Sequence, residues 1–331
     1  MIVLLLFLPG PAIWLVVNHK SSAVPAKETS DELFDTRDTS SYNYHKSSFH
    51  VRGDVKLQRA PSTIPNLCKV TQKNTKEVFL LVLMVSAPMD FEQRKLQRLH
   101  CLNFSEISGQ RVERLFLLGD SSNSSLNNRI KEESIIYQDI VMGNFHDSYR
   151  NLSLKTLFGL RWASMYCSQA HYVMKADDDT FINFKPLIDT LTRSPKENFI
   201  TGHLCTGCRP IRNTTNKWYT PEEKFPGEFY PDYVHGPAYV MSGDLPRKIS
   251  LMSRSTPPFP WEDVYIGMIL EKLGIKPLQN PCFIADTHDW NLLTPCSYIS
   301  ACAIHFYNRR EDIFQFCRDP IILNGNAREM C

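Results

Sequence analysis

His171-Tyr-Val-Met-Lys-Ala-Asp-Asp-Asp-Thr-Phe-Ile-Asn183 is the stretch on which the fold turns. Ala170 to Lys175 is short and mostly apolar, suited to a buried strand, and it runs straight into Asp177-Asp178-Asp179 before apolar character returns at Phe181-Ile182. Three carboxylates on one turn let alternate side chains converge on a hard cation and on the outer oxygens of a diphosphate. Acidic turns are common and are more often simply solvated. The placement directly after Val173-Met174 lifts this one above that bland alternative.

Working outward, Val78 to Ser86 is a continuous apolar run rich in β-formers, suited to a strand covered on both faces. An amphipathic stretch follows from Phe91 to Leu102, then a second buried strand over Arg114–Gly119. A polar loop is expected from Asp120 to Asn128, a helix from Asn128 to Tyr137, and a third strand over Asp139–Met142. Leu154, Leu157, Phe158, Trp162 and Met165 recur at helical spacing within Leu152–Tyr166. Strands alternating with helices predict an α/β fold, with a mainly parallel central sheet and helices on both faces. Ligands of such sheets bind beyond the carboxyl ends of the strands, where the acidic triplet falls.

The chain has 331 residues, 43% of them hydrophobic and 22% charged, enough for a full α/β core. Its 37 basic and 35 acidic residues are scattered, so no basic face supports nucleic-acid binding. Ten cysteines without repeated metal-ligand spacing fit an oxidising compartment. Four glycosylation triplets, at Asn103, Asn123, Asn151 and Asn213, agree with that compartment, although such triplets also arise by chance.

Residues 1–18 are almost wholly apolar and fit a signal-peptide core or a short signal-anchor. Pro9-Gly10-Pro11 interrupts them, and His19 and Lys20 follow with no Lys or Arg ahead, a bias against a cytosolic N-terminus. A cleaved signal peptide, or a start lacking a few basic residues, stays open. Residues 19–66 are polar and end in two prolines, as a flexible stem does, leaving 67–331 as the catalytic domain. Arg52-Gly53-Asp54 lies in the stem; three common residues there read first as a loop and only weakly as an adhesion motif.

Trp261-Glu262-Asp263-Val-Tyr-Ile-Gly267 opens an amphipathic helix on a pair of carboxylates. They either complement the helix dipole or include a general base for an acceptor hydroxyl, and spacing alone does not choose. Tyr239 and the other aromatic residues around Gly236-Pro237 form either a structural turn or a wall for a sugar ring, and Trp261 and Glu262 join Tyr239 as acceptor-side candidates. His305 sits in an apolar setting, where a lone histidine is usually a satisfied core residue. Cys205-Thr-Gly-Cys208 lacks a second pair to complete a zinc site and reads as a structural disulfide. Gly-rich phosphate loops, nucleophile elbows and His-Glu-x-x-His helices are absent from the sequence.

Together the segments Phe116–Gly119, Asp147–Thr156, Lys175–Asn183, Tyr239–Ser242 and Glu262–Gly267 resemble, in order, the β-1,3-galactosyltransferase and β-1,3-N-acetylglucosaminyltransferase family, relatives of the fringe enzymes. The resemblance spans roughly Val78 to His305. It implies a GT-A type nucleotide-sugar-binding fold and a manganese ion. It also implies inverting transfer of galactose or an N-acetylhexosamine from UDP-galactose or UDP-N-acetylhexosamine to a glycan on a glycoprotein or glycolipid. A type II protein of the Golgi membrane with a lumenal catalytic domain is implied as well, or a secreted form if the N-terminus is cleaved.

Carried over by similarity, Asp177 and Asp179 bind metal and donor with Asp178 beside them, His305 reaches the metal, and Asp263 is the base. Arg94, Arg98, Asp147 and Lys155 fall on motifs near the donor, as do Tyr149 and Asn151. Departures occur at His100-Cys101, where relatives usually have Thr-Trp, and at Gly236-Pro237-Ala238, where a Gly-rich turn is usual. A catalytically silent carbohydrate-binding or chaperone-like relative is the competing expectation. Disulfide pairing is not derivable from sequence; Cys68 with Cys167 is the expected pair because both flank early elements.

Overall fold

Residues 67–71, 75–285, 295–306 and 312–318 are described by a computed structural model of the chain. The apolar segment 1–18 and the stem 19–66, with Arg52-Gly53-Asp54, lie outside them. Among the described residues no helix is long and apolar enough to cross a membrane.

Strand β1 (Val78–Val85) is buried along its whole length and sits at the middle of the main sheet, parallel to β3 (Gln110–Asp120) on one side and β5 (Tyr172–Asp177) on the other. Its side chains alternate between the faces, as a strand dictates. Leu81, Leu83 and Val85 enter one core, and Leu80, Val82 and Met84 enter the other. This double burial is why β1 reads as an unbroken apolar run.

The first core is closed by α3 (Leu152–Tyr166), α5 (Leu245–Met252) and α6 (Glu262–Leu273), through residues such as Leu157, Ile249 and Ile266. The second contains residues of α2 (Ser124–Tyr137), α4 (Phe184–Leu191) and α8 (Asp312–Arg318). It also takes in a small sheet ordered β10 (Phe283–Ile284), β11 (Ala303–His305), β6 (Thr180–Ile182). Helices thus cover both faces, as expected.

Strand β4 (Ile140–His146) continues the parallel region beside β3, while the two-residue β2 (Glu106–Ile107) pairs antiparallel with it. Beyond β5 the sheet changes sense. Strand β8 (Tyr233–Ser242) is antiparallel to both β5 and β7 (Ile200–Cys205), and β9 (Leu278–Gln279) runs parallel to β7. Between the pairs Gly202–Tyr239 and Leu204–Val234 the β7–β8 register shifts, so residues 235–238 bulge from the ladder. A short helix, α7 (Pro295–Ser300), precedes β11.

Four expected elements are redrawn: β3 begins at Gln110 rather than Arg114, β4 runs on to His146 rather than ending at Met142, and two helices differ. The segment Phe91–Leu102 is an α-helix, α1, only over Phe91–Leu96, and it widens into a π-turn over Gln97–Cys101. Arg98 is drawn to Asp139 and Cys101 is bonded to Cys317, so this turn is fixed from two sides. Helix α2 begins four residues earlier than Asn128, at Ser124, because the Asn123 side chain caps it by accepting from the Leu126 N–H at 3.1 Å.

Disulfides join Cys68 to Cys167, Cys101 to Cys317, Cys205 to Cys208 and Cys282 to Cys302. The Cys68–Cys167 pair is the expected one. The Cys205–Cys208 bond matches the structural reading of that motif.

Candidate active site

Strand alternation puts Lys175 and Asp177 on the same side of β5, and the antiparallel pairing sets Lys175 opposite Tyr239 of β8. The Lys175 ammonium is almost fully buried. It lies 2.6 Å from Asp177 Oδ1, donates to the Gly236 carbonyl, and stands 3.6 Å from Glu262 Oε2. Tyr239 Oη donates to Glu262 Oε1 at 2.6 Å. One cation therefore yokes the acidic turn at the end of β5 to the start of α6.

Burial opposes the charge on Lys175, but Asp177 and Glu262 outweigh it and raise its pKa. Burial pushes the Glu262 carboxyl up to about 7 against the pull of Lys175. It also raises the Tyr239 phenol well above its ordinary value, which keeps it a hydrogen-bond donor.

Asp263 differs from its neighbour. It is half-buried rather than buried, its Oδ2 accepts from the Gly236 N–H at 3.1 Å, and its Oδ1 accepts from the Val264 N–H at 2.9 Å. Gly236, in the bulge of β8, packs so closely that a Cβ there would lie 3.3 Å from Glu262 Oε2 and 3.5 Å from Asp263 Oδ2. Of the two carboxylates that spacing left unresolved, Glu262 is committed inward and Asp263 faces the open side.

Within the acidic turn the three residues are not equivalent. Asp178 is turned into the protein, with its N–H on the Val85 carbonyl and its own carbonyl accepting from Gln93 and Gln97. Asp177 and Asp179 keep part of their surface, at 29% and 22% of the side chain. From β11, His305 brings Nε2 to 3.6 Å from Asp179 Oδ1, and its Nδ1 donates to the Ala285 carbonyl at 3.1 Å. Burial opposes protonation of His305, but Asp179 and Asp177 prevail and its pKa is raised. Among the described residues no group of three His, Cys, Asp or Glu side chains is assembled closely enough to hold a metal ion.

Asp147 and Lys155 tie the carboxyl ends of the parallel strands together. Asp147 Oδ2 accepts from the Gly119 N–H at 2.6 Å and its Oδ1 accepts from Lys155 Nζ at 2.8 Å; the same ammonium donates to the Ser86 carbonyl at 3.0 Å. Arg94 and Arg98 are placed differently from their expected position at the donor. The Arg94 guanidinium is fully buried on Glu133 and on the Ala87 and Pro88 carbonyls, where it holds the chain leaving β1. Arg98 pairs with Asp139 and Glu133 and lies over the Phe116 and Tyr137 rings.

The acceptor-side candidates Tyr239, Trp261 and Glu262 are all buried. Trp261 Nε1 donates to Thr220 Oγ1 at 2.7 Å, and its ring carries the Arg150 guanidinium at 4.5 Å. These residues support the site from beneath. Sequence reasoning missed Lys175 as a site residue, because a lysine flanking an acidic turn ordinarily points to solvent; its signal was the apolar residue on either side. Of the glycosylation triplets, Asn103, Asn123 and Asn213 are exposed, while Asn151 is partly buried with Nδ2 on the His146 carbonyl at 2.8 Å.

Carboxylates gathered at the carboxyl edge of the sheet, two of them held by Lys175 and others, Asp263 among them, keeping part of their surface, suit the passage of a sugar from a charged leaving group to a hydroxyl. That is the chemistry of the hexosyltransferases. Residues 92–281 match the family model described as galactosyltransferase. β-1,3-Galactosyltransferase 1 of Mus musculus is 34% identical over 284 residues, covering 82% of this chain and 86% of that protein. β-1,3-Galactosyltransferase 2 of Homo sapiens is 38% identical over 242 residues, covering 71% of this chain and 57% of that protein. The solved WbbM bifunctional glycosyltransferase covers 77% of this chain and 52% of its own at 9% identity and a TM-score of 0.40, too loose a likeness to build on. The chain belongs to the galactosyltransferase family.

Proposed function

We propose that the protein is an inverting β-1,3-glycosyltransferase that moves galactose or an N-acetylhexosamine from its UDP donor to a glycan on a glycoprotein or glycolipid. The relatives' names support the linkage and the galactosyl donor. The observation that carries the mechanism is the division of labour at α6: Glu262 is locked to Tyr239 and Lys175, and Asp263 is oriented by the Gly236 N–H with part of its surface open. Asp263 is the base that takes the proton of the attacking hydroxyl as UDP departs from the opposite side of the anomeric carbon. A single displacement inverts that centre. This division of labour disfavours a catalytically silent relative.

Asp177, Asp179 and His305 carry the oxygen and imidazole donors that suit manganese and would have to draw closer to share one ion; the Nδ1–H bond of His305 to Ala285 turns Nε2 toward Asp179, as a ligating imidazole requires. A divalent cation there would offset charge on the leaving diphosphate. Lys175 fixes Asp177, and Asp147 with Lys155 fixes the strand ends beside the donor, while Arg94 and Arg98 shape that wall from behind. The cysteines and exposed glycosylation triplets support a lumenal domain, consistent with a type II Golgi membrane protein.

Asp263→Asn tests the assignment. Transfer is expected to fall by roughly 100- to 10,000-fold with UDP binding in manganese buffer retained. Wild-type turnover in that variant would refute the role of Asp263.

A further inference from the structure

The connection between β7 and β8, residues 206–232, contains no helix and no strand beyond a single bridge pairing Ile211 with Tyr219. Connections longer than about 12–15 residues without regular structure are uncommon in compact domains and usually functional. This one is ordered by its own bonds. The Cys205–Cys208 disulfide closes its base, and the Tyr230 N–H returns to the Cys208 carbonyl at 2.8 Å. Arg212 gathers the Thr220, Phe225 and Gly227 carbonyls at 2.8, 2.7 and 3.2 Å.

The loop's surface is largely polar, but it also displays aromatic rings, and Lys217 Nζ lies 4.1 Å from the Tyr149 ring centroid and 5.4 Å from that of Trp218, an ammonium donor beside the pair. Among the described residues the large exposed aromatic side chains are Tyr137, Tyr149, Trp218 and Phe229, and two of the four belong to this loop while a third touches it. Trp218 and Tyr149 are 43% and 44% exposed and are joined edge to edge, Trp218 Nε1 donating to Tyr149 Oη at 2.9 Å. Accepting that bond leaves the Tyr149 hydroxyl proton available to a ligand oxygen.

The pair is wired to the site along two routes. Thr220 Oγ1 donates to the Trp218 carbonyl at 3.3 Å and accepts from Trp261 Nε1 at 2.7 Å, two residues before Asp263. From the other side, Arg150, adjacent to Tyr149, lies over the Trp261 ring. Tyr239, Trp261 and Glu262 are buried, so the acceptor must meet other side chains.

We propose that Trp218 and Tyr149 form a platform for a pyranose ring of the glycan acceptor, a proposal that rests on the transferase function above. Aromatic faces are electron-rich and stack on the C–H face of a sugar, while the phenol and indole edges serve its hydroxyls. A rigid loop presents them with little ordering cost on binding.

The full chain and its Trp218→Ala, Trp218→Phe and Asp263→Asn variants test this with two probes, methyl β-glycosides of galactose and of N-acetylglucosamine. Saturation-transfer NMR should show magnetisation reaching the ring C–H protons of at least one probe in the wild type and in Asp263→Asn. That signal is expected to be lost in Trp218→Ala and kept in part by Trp218→Phe. In turnover, Trp218→Ala should raise the acceptor KM by roughly three- to tenfold, with the effect on KM rather than on kcat.

No saturation of either probe in the wild type, or equal signal and equal KM in Trp218→Ala, overturns the platform. Equal turnover in Asp263→Asn with saturation intact sinks the catalytic assignment instead. Trp218 is exposed, so a matched thermal midpoint separates loss of binding from loss of fold.

Discussion

Replacing Lys175 by Met removes the only cation in contact with both Asp177 and Glu262 among the described residues, while keeping much of its volume. The ammonium is 2% exposed, and water has little room to take its place. Breaking a buried pair by deleting one partner costs about 3–5 kcal/mol, because the remaining charge is uncompensated. Here two carboxylates are stranded. Part of the cost should vanish if one of them is neutralised in the same chain. Lys175→Met with Glu262→Gln is expected to lose less than the sum of the single changes, by at least about 1 kcal/mol, as contacting residues do. Urea unfolding of the disulfide-intact protein, monitored by tryptophan fluorescence, gives all four corners of the cycle. Additive losses would show that Lys175 does not couple the acidic turn to α6. A loss under about 1 kcal/mol in Lys175→Met alone would show that the cluster is solvated.

Glu262 gives the protein a pH dependence of definite sign. Its folded pKa is about 7 against an ordinary 4.5, so between those values the native state holds the proton that the unfolded chain has released. Stability therefore falls as pH rises through that window, by roughly 2 kcal/mol from about pH 5.5 to 7.5. Glu262→Gln should flatten that component of the slope, and parallel curves for variant and wild type would contradict it. Asp179→Ala should bring UDP affinity in manganese buffer down to its metal-free level, as read by calorimetry, and an unchanged manganese dependence would count against the turn. Gly236→Ala pushes a Cβ toward Glu262 and Asp263, so kcat should drop by up to about a hundredfold while the fold survives; steady-state rates beside a thermal melt decide it.

The parts of the fold with one dominant physical cause were legible in the sequence. Strand β1 is covered on both faces and so is apolar throughout, and α3 has its apolar residues at helical spacing and was bounded without error. Elements set by tertiary partners were not. The π-turn at Gln97–Cys101 depends on Asp139 and Cys317, distant residues that no local pattern announces. Strand β11 has three residues and no periodicity, yet it carries His305. At the candidate site, Asp177 and Asp179 were singled out by the acidic turn, and Asp263 by the family resemblance rather than by spacing. That Tyr239, Trp261 and Glu262 lie beneath the surface could not be read, because an aromatic or acidic residue in a turn reads the same whether it faces a ligand or a core. Lys175 escaped for the same reason.

Because β11 pairs with β6, and Cys317 in α8 is bonded to Cys101, the fold around the site draws together segments made far apart in time. Asp179 leaves the ribosome well over a hundred residues before Cys317, which at 5–20 residues per second is a wait on the order of ten to thirty seconds. Through that interval the parallel strands can assemble with the acidic turn in place, but the histidine and the thiol that completes the bond to Cys101 have not arrived. A chain stopped before β11 would hold the strands of the main sheet but lack both His305 and the partner of Cys101, leaving its centre unfinished.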